Sequence, residues 1–521
     1  MSSAADYAAS IAADEPYLKV KHRGLLLMAL MGVMTCQVLD ATIQNVALSH
    51  MQTSLGASVD TISWVLTSFI IAGAISTPIT GWLADRMGSR RLFLLSTFGF
   101  MVASALCGMA TSLGQMVVFR AIQGVAGAFL LPISQTVIYD VTPPSEQGKM
   151  MGLWGVVVMV APISGPFLGG FLTEEFSWRW VYYVNLPIGI PALAILWFLM
   201  PTRPAMQRKL DRFGYFSIAI GLGTLQLLLD RGQGRDWLDS REIIVELLVV
   251  VIAFWLFFTH TIFTSQPLFH PKLFKNANFI AGFFFMAVMG VTNIALGAAL
   301  PGLFQNVFHY SVLQSGMLMA PRGLGVLSMM YFTNQLMKRV DFRYLICGGY
   351  LIAAYSMHSM TYWTLETDTT PMIIAGFIQG MGLGFVFMPM NLIAFSTLAP
   401  ELRTDGSSLL ALSRNLGGSF GISFMVTMFA RMLQTNHAEI GQHVTASVVS
   451  GVDLPNTIDR LQGYGAAVMM MVDGEVNRQA MMIAYLDNFR AITWLLLMVA
   501  PLPFLLKKQA MEQPSRDMVM E

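Results

Sequence analysis

The 521 residues are 55% hydrophobic and only 12% charged, with a formal net charge of +1. Soluble domains carry about 25% charged residues, so the composition excludes an ordinary soluble enzyme and a basic nucleic-acid-binding domain. It implies a chain that lives in a bilayer.

Residues 1–24 place Asp6, Asp14 and Glu15 ahead of any basic residue and read as a cytoplasmic segment, not a cleavable signal peptide. From residue 25 to 506, apolar blocks long enough to cross a membrane alternate with short polar, Gly-rich or Pro-rich breaks. Fourteen spans are predicted, near 25–48, 60–83, 91–110, 114–139, 150–173, 179–200, 213–230, 243–263, 279–307, 313–336, 344–363, 371–395, 407–432 and 490–506. The predicted fold is an all-α polytopic membrane protein. Twenty of the 31 Lys and Arg fall in segments sharing the N-terminal side, against seven on the other, which predicts both termini in the cytoplasm. Residues 507–521 form the expected cytoplasmic tail. Cys36, Cys107 and Cys347 are scattered through predicted spans, with no metal-ligand spacing and no disulfide framework.

The stretch AIQGVAGAFLLP (121–132) recurs as FIQGMGLGFVFMP (377–389), with Gln123-Gly124 and Gln379-Gly380 separated by 256 positions in spans four and twelve. A duplicated six-span unit would pair span four with span ten, so two extra spans stand between the halves. This predicts a six-helix half over 25–200, a linker with two central helices over 201–278, and a second six-helix half over 279–506. Such repeats are a transporter pattern, with binding near the midplane where the halves meet. The last half carries a long segment, 433–489, expected to be a periplasmic loop that contacts a partner, because packed helices are usually joined by far fewer residues.

Within TCQVLDATIQNVAL, residues 35–48, Asp40 sits at bilayer depth, with Gln44 and Asn45 one turn on. A carboxylate there costs roughly 2.5–3.5 kcal/mol on insertion scales, and intramembrane acids are functional by default. Burial and a nearby cation act on such a group in opposite senses, so it can load and release protons near physiological pH. The plainer reading is a neutral Asp40 that bonds neighbouring helices. Arg322 and Arg414 occupy Gly-rich parts of second-half spans, and either pair across the bundle or touch substrate. Gln44, Asn45, Gln123, Arg322, Gln379 and Arg414 are the candidates to line a substrate cavity.

GWLADRMGSRR, residues 81–91, follows span two with the spacing G-x3-D-R-x-G-x-R-R. It resembles the loop signature of the major facilitator superfamily at every position. That resemblance implies a latch between the halves built on Gly81, Asp85, Arg86, Gly88, Arg90 and Arg91. RAIQGVAGA (120–128) resembles the family's span-four motif, which implies proton transfer at Arg120 beside Asp40. APISGPFLGG (161–170) resembles its antiporter motif, carried by Pro162, Gly165, Pro166, Gly169 and Gly170. LDATIQNVAL and WRWVYYVNLPIG (178–189) are similar to signatures of the fourteen-span drug:proton antiporters, and the likeness, which covers nearly the whole chain, extends to the EmrB-like inner-membrane pumps of tripartite efflux systems. It implies export of small amphipathic compounds, and the intramembrane charge count, Arg120, Arg322 and Arg414 against Asp40, separately favours neutral or weakly acidic ones. It also implies a location in the bacterial inner membrane, a periplasmic membrane-fusion adaptor (EmrA-like) and an outer-membrane channel (TolC-like).

No G-x4-G-K-[ST] loop for ATP and no H-E-x-x-H or paired-cysteine metal site occurs in the sequence, so neither an enzyme activity nor a cofactor is expected. Protons would be the coupling ion: one proton crossing about 100 mV supplies about 2.3 kcal/mol, enough for roughly a 50-fold substrate gradient. Two other readings stay open, a dedicated exporter of a fatty acid or metabolite and a non-transporting receptor or scaffold.

Overall fold

The computed structural model describes residues 14–202, 209–337, 339–396, 398, 400–443 and 465–505, and the regular structure among them is helical. The first six predicted spans fold as α1 (Arg23–Leu55), α2 and α3 (Trp64–Ser76 and Thr80–Met87), α4 (Ser89–Met109), α5 and α6 (Leu113–Ala128 and Leu130–Val141), α7 (Pro144–Glu175) and α8 (Asn185–Leu199). The central pair is α9 (Arg212–Arg231) and α10 (Arg241–Phe263). The remainder comprises α11 (Ala277–Asn306), α12 (Val312–Leu336), α13 (Phe342–Met360), α14 (Thr369–Ser396), α15 (Arg403–His443) and α16 (Gly465–Val499).

Each of the fourteen predicted segments falls on one or two of these helices. Among the described residues, eleven helices are long and apolar enough to cross a membrane, twelve when the bent α7 is counted as one span. The two below that threshold are α12 and α13. The polar side chains of α12, including Gln314, Arg322, Asn334 and Gln335, lower its mean hydropathy.

The same pairwise packing recurs along the chain. In the first part α1 lies on α7, α2 on α5, and α4 on both α5 and α8; in the last part α11 lies on α15, α12 on α14, and α13 on both α14 and α16. The central helices pack on each other, and α9 also rests on α2. Their outward faces are apolar, as a lipid-facing surface requires: Phe263 at the end of α10 is 87% exposed.

Within the segment expected to be a loop over 433–489, the described residues are helical. Helix α15 continues through His443 and α16 begins at Gly465, leaving 444–464 outside the described residues. At 1.5 Å per residue, the 41 residues of α15 span about 60 Å, twice the hydrocarbon core of about 30 Å. Both helices therefore outlast the bilayer. His437 and Asp473, 3.0 Å apart, join their outer parts.

Candidate functional site: a buried ion pair and an inter-half seam

Helix α1 buries Asp40 completely and places Gln44 one turn away on the same face. Helix α5 brings Arg120, 1% exposed, and Gln123 to the same point. The Arg120 Nη1 donates to Asp40 Oδ2 at 2.7 Å and to Gln123 Oε1 at 2.6 Å, while its Nε donates to the Val65 carbonyl of α2 at 3.1 Å. Gln44 Nε2 adds a second bond to Oδ2 at 3.3 Å, and also donates to the Asp40 backbone carbonyl. Asp40 Oδ1 accepts from Gln123 Nε2 at 3.1 Å and from Asn185 Nδ2, at the start of α8, at 3.0 Å. Each carboxylate oxygen thus holds two donors. A proton has no place on Asp40 until at least one donor leaves.

Further contacts fix the donors. Asn185 Nδ2 also donates to Ser104 Oγ at 3.0 Å, and Ser104 donates to the Tyr182 carbonyl at 2.9 Å. The Tyr182 hydroxyl donates to Gln44 Oε1 at 3.3 Å. The guanidinium lies over Phe69 and Tyr182, 4.1 and 5.9 Å from the ring centroids, so aromatic faces cover the charge. At an effective dielectric near 20, opposite charges at this separation attract by about 6 kcal/mol, much of it offset by the cost of removing both from water.

Helix α7 reaches α1 beside this cluster because it presents glycine there. A Cβ at Gly165 would overlap Thr42, and one at Gly169 would overlap the Ile43 carbonyl, two and three residues past Asp40. Gly170 faces Val312 of α12. Pro162 and Pro166 stand inside α7, which bends by 44° between Pro144–Pro162 and Ser164–Glu175; proline removes backbone hydrogen bonds where the helix turns.

The 81–91 segment lies at the end of the bundle that carries most of the basic residues. Gly88 connects α3 to α4 at φ 84° and ψ 135°, a conformation open only to glycine. A Cβ at Gly81 would overlap the Asp405 carboxylate at the start of α15. Arg86 stacks on Trp82, Arg90 donates to the Trp197 carbonyl at 2.5 Å, Arg91 is exposed, and Asp85 is half-buried with contacts of its own.

At this basic end, α6 of the first part and α15 of the last are joined by a seam that sequence reasoning missed. Arg403 Nη1 donates to Asp140 Oδ1 at 3.1 Å, their side chains 2% and 0% exposed. Gln135 Nε2 donates to Asn391 Oδ1 at 2.9 Å, and Ser407 Oγ donates to Gln135 Oε1 at 2.6 Å. Tyr139 stacks on Phe395 and lies under the Arg403 guanidinium. The N-terminal segment covers the seam: Leu18 N–H donates to the Asp140 carbonyl at 2.8 Å, and Arg23 pairs with Glu146. The Ser145 hydroxyl and N–H bond the exposed Asp14 carboxyl and hold it below the usual carboxylate range.

The other candidates separate. Asn45 is exposed and turned away from the cluster. Arg322 is buried and donates to the Asn293 carbonyl at 3.2 Å and its Oδ1 at 2.8 Å, while its Nε has no partner among the described residues. Gln379 is buried with its Oε1 likewise unpartnered. Arg414 is partly buried, and its backbone carbonyl abuts Gly290. Neither Arg322 nor Arg414 has a carboxylate partner among the described residues, in contrast to Arg120.

Residues 30–422 match the Major Facilitator Superfamily. The chain belongs to that superfamily. It is a multi-span membrane transporter. It is 34% identical over 427 residues to the multidrug export protein EmrB of Haemophilus influenzae, covering 81% of this chain and 83% of that one. It is 30% identical over 504 residues to the fatty acid resistance protein FarB of Neisseria gonorrhoeae, covering 95% and 98%. A solved bacterial homologue of the human lysosomal transporter Spinster shares the fold at a TM-score of 0.55 and 16% identity, covering 94% of this chain and 99% of that one.

Against this frame, Asp40, Arg120, Gln44 and Gln123 were legible as lone polar groups in apolar spans. Asn185, Ser104 and Tyr182 were not, although Tyr182 and Asn185 lie within WRWVYYVNL. A neutral amide or hydroxyl in a span does not announce its partner.

Proposed function

We propose that the chain is a proton-coupled multidrug efflux antiporter working by alternating access, with two six-span units and the α9–α10 pair inserted between them. The observation that carries the coupling is the doubly occupied carboxylate of Asp40, whose donors come from α1, α5 and α8. Three of the four donors sit on α5 or α8, so withdrawal of either helix from α1 frees a carboxylate oxygen, and that would link protonation to helix movement. The basic end would face the cytoplasm, where the closed seam and the latch segment belong to the outward-facing stage of the cycle. The name of the EmrB relative supports a broad drug range. A narrower reading, export of fatty acids, is favoured by the FarB relative, which is similar over almost the whole chain.

Arg322 and Arg414, without carboxylate partners among the described residues, bias the interior against cations. Two like charges about 8 Å apart at an effective dielectric near 20 repel by roughly 2 kcal/mol, about thirtyfold in affinity. Purified protein in vesicles with an imposed pH gradient should export neutral and monoanionic amphiphiles, bind matched dications about thirtyfold more weakly, and stop when a protonophore is added. Export unaffected by the protonophore would refute proton coupling. Transport confined to long-chain fatty acids would favour the narrower reading.

The outer parts of α15 and α16 are the proposed contact for a periplasmic adaptor, which would lead on to an outer-membrane channel. They extend beyond the bilayer and expose Met470 and Met471, each 75% accessible, within GYGAAVMMMVDG (463–474), a sequence unusually apolar for a segment in water. Cysteines placed at Met470 and Met471 should crosslink an adaptor in cells of the native host. Full drug resistance after shortening both helices to the membrane surface, in a folded protein, would remove this assignment.

A further inference from the structure

A cavity of about 410 Å³ lies at the basic end, lined by Trp82, Arg86, Lys209, Leu210 and Arg212. Its walls come from the foot of the second span and from the segment that leads into α9, so the inserted central pair completes it. Arg86 contacts the Trp82 ring, and among the described residues none of Arg86, Lys209 and Arg212 forms an ion pair. The two nearest acids in sequence are already engaged. Asp85 has contacts of its own. The Asp211 carboxylate accepts from the Gly214 and Leu268 N–H groups at 2.9 and 3.2 Å and is paired with His260 Nε2 at 2.8 Å. Three cations thus border one cavity with no acid among its lining residues, an arrangement whose mutual repulsion an anion relieves.

The surroundings indicate which anion. Just past Arg212, α9 presents Phe213 and Phe216, 52% and 61% exposed, and the facing end of α10 presents Ile262 and Phe263. An aqueous phosphate has no use for such a surface, whereas acyl chains do. Trp82 supplies the amphipathic ring favoured at the level of headgroups.

We propose that this cavity binds the phosphate of an anionic phospholipid, with its acyl chains laid along Phe213 and Phe216. Arg86 belongs to the 81–91 segment, so an occupied cavity fastens that segment to the inserted helices through the lipid.

The test uses full-length protein in nanodiscs of mixed phosphatidylcholine and phosphatidylglycerol, with the lipid retained through purification measured by mass spectrometry. The native protein should retain phosphatidylglycerol preferentially. The Lys209→Gln/Arg212→Gln variant should bind it about 30-fold more weakly, at roughly fivefold per cation near a membrane surface. The charge-preserving Lys209→Arg/Arg212→Lys variant should keep the preference, which separates loss of charge from loss of fold. Equal retention by the native and Gln proteins would overturn the proposal. So would displacement of the lipid by millimolar inorganic phosphate, because the site would then be one for a free anion.

Discussion

Replacing Asp40 by Asn is expected to abolish transport driven by a pH gradient, reducing it to the rate of protein-free vesicles, while substrate affinity stays within about tenfold, the scale of 1.4 kcal/mol. The amide matches the carboxylate in size and can still accept from Arg120, but it cannot carry the proton that an antiport cycle exchanges. It also leaves Arg120 buried without its counter-charge, 1% exposed and held by Gln123, Val65 and two aromatic rings. Breaking a buried pair from one side costs about 3–5 kcal/mol, so the single variant should melt earlier than the native protein. The double variant Asp40→Asn/Arg120→Gln removes both charges and should recover much of that loss. These stabilities separate the two roles of the pair. A structural pair predicts that the double variant transports once its stability returns, whereas a coupling pair predicts a stable protein that remains inactive. Normal pH-driven export by either variant, at native expression, would refute the coupling assignment.

How far the sequence revealed this molecule depends on which physical signal each part leaves. The spans were legible because a bilayer demands about 20 apolar residues in a row, and each predicted segment falls on helix. The continuation of α15 to His443 was not, because a helix that leaves the bilayer returns to ordinary polar sequence, and the early start of α16 at Gly465 was not, because the polar run Asp473–Gln479 separates its apolar first turns from the last span. Helix α12 shows the opposite case. Its caps and spacing mark it as helical, yet inward-facing Arg322 and neighbouring polar groups bring it below the hydropathy of a span. At the site, Asp40 and Arg120 stood out because charge is costly in hydrocarbon. Asn185, 145 positions from Asp40, carries no charge and could be assigned only by distance. Asp140 and Arg403 escaped for a related reason: each lies at a helix end, where charge is commonplace, and only their mutual burial sets them apart.

That burial makes Arg403→Gln the second substitution with a large expected effect. In the closed seam, Asp140 would lose its guanidinium partner while remaining inaccessible to water, at about 3–5 kcal/mol. When the basic end opens, the same carboxylate is hydrated and the penalty falls away. The substitution therefore penalises one conformer more than the other, by a factor of roughly 10² to 5 × 10³ in the equilibrium between them. Spin labels at Lys149→Cys and Arg339→Cys, both exposed and on opposite sides of the seam, report the change once Cys347 is replaced. In the native background, pulsed dipolar measurements should give mainly the short distance of the closed end. With Arg403→Gln, the longer distance should become the majority. The charge swap Asp140→Arg/Arg403→Asp should restore the short one, which keeps the test informative if the single variant is poorly folded. The neutral hydrogen bonds of the seam, Gln135 with Asn391 and Ser407, are weaker, at about 0.5–1.5 kcal/mol each, and stand beside the stacking of Tyr139 on Phe395. An unchanged distance distribution in Arg403→Gln would mean that the ion pair does not control the opening of this end.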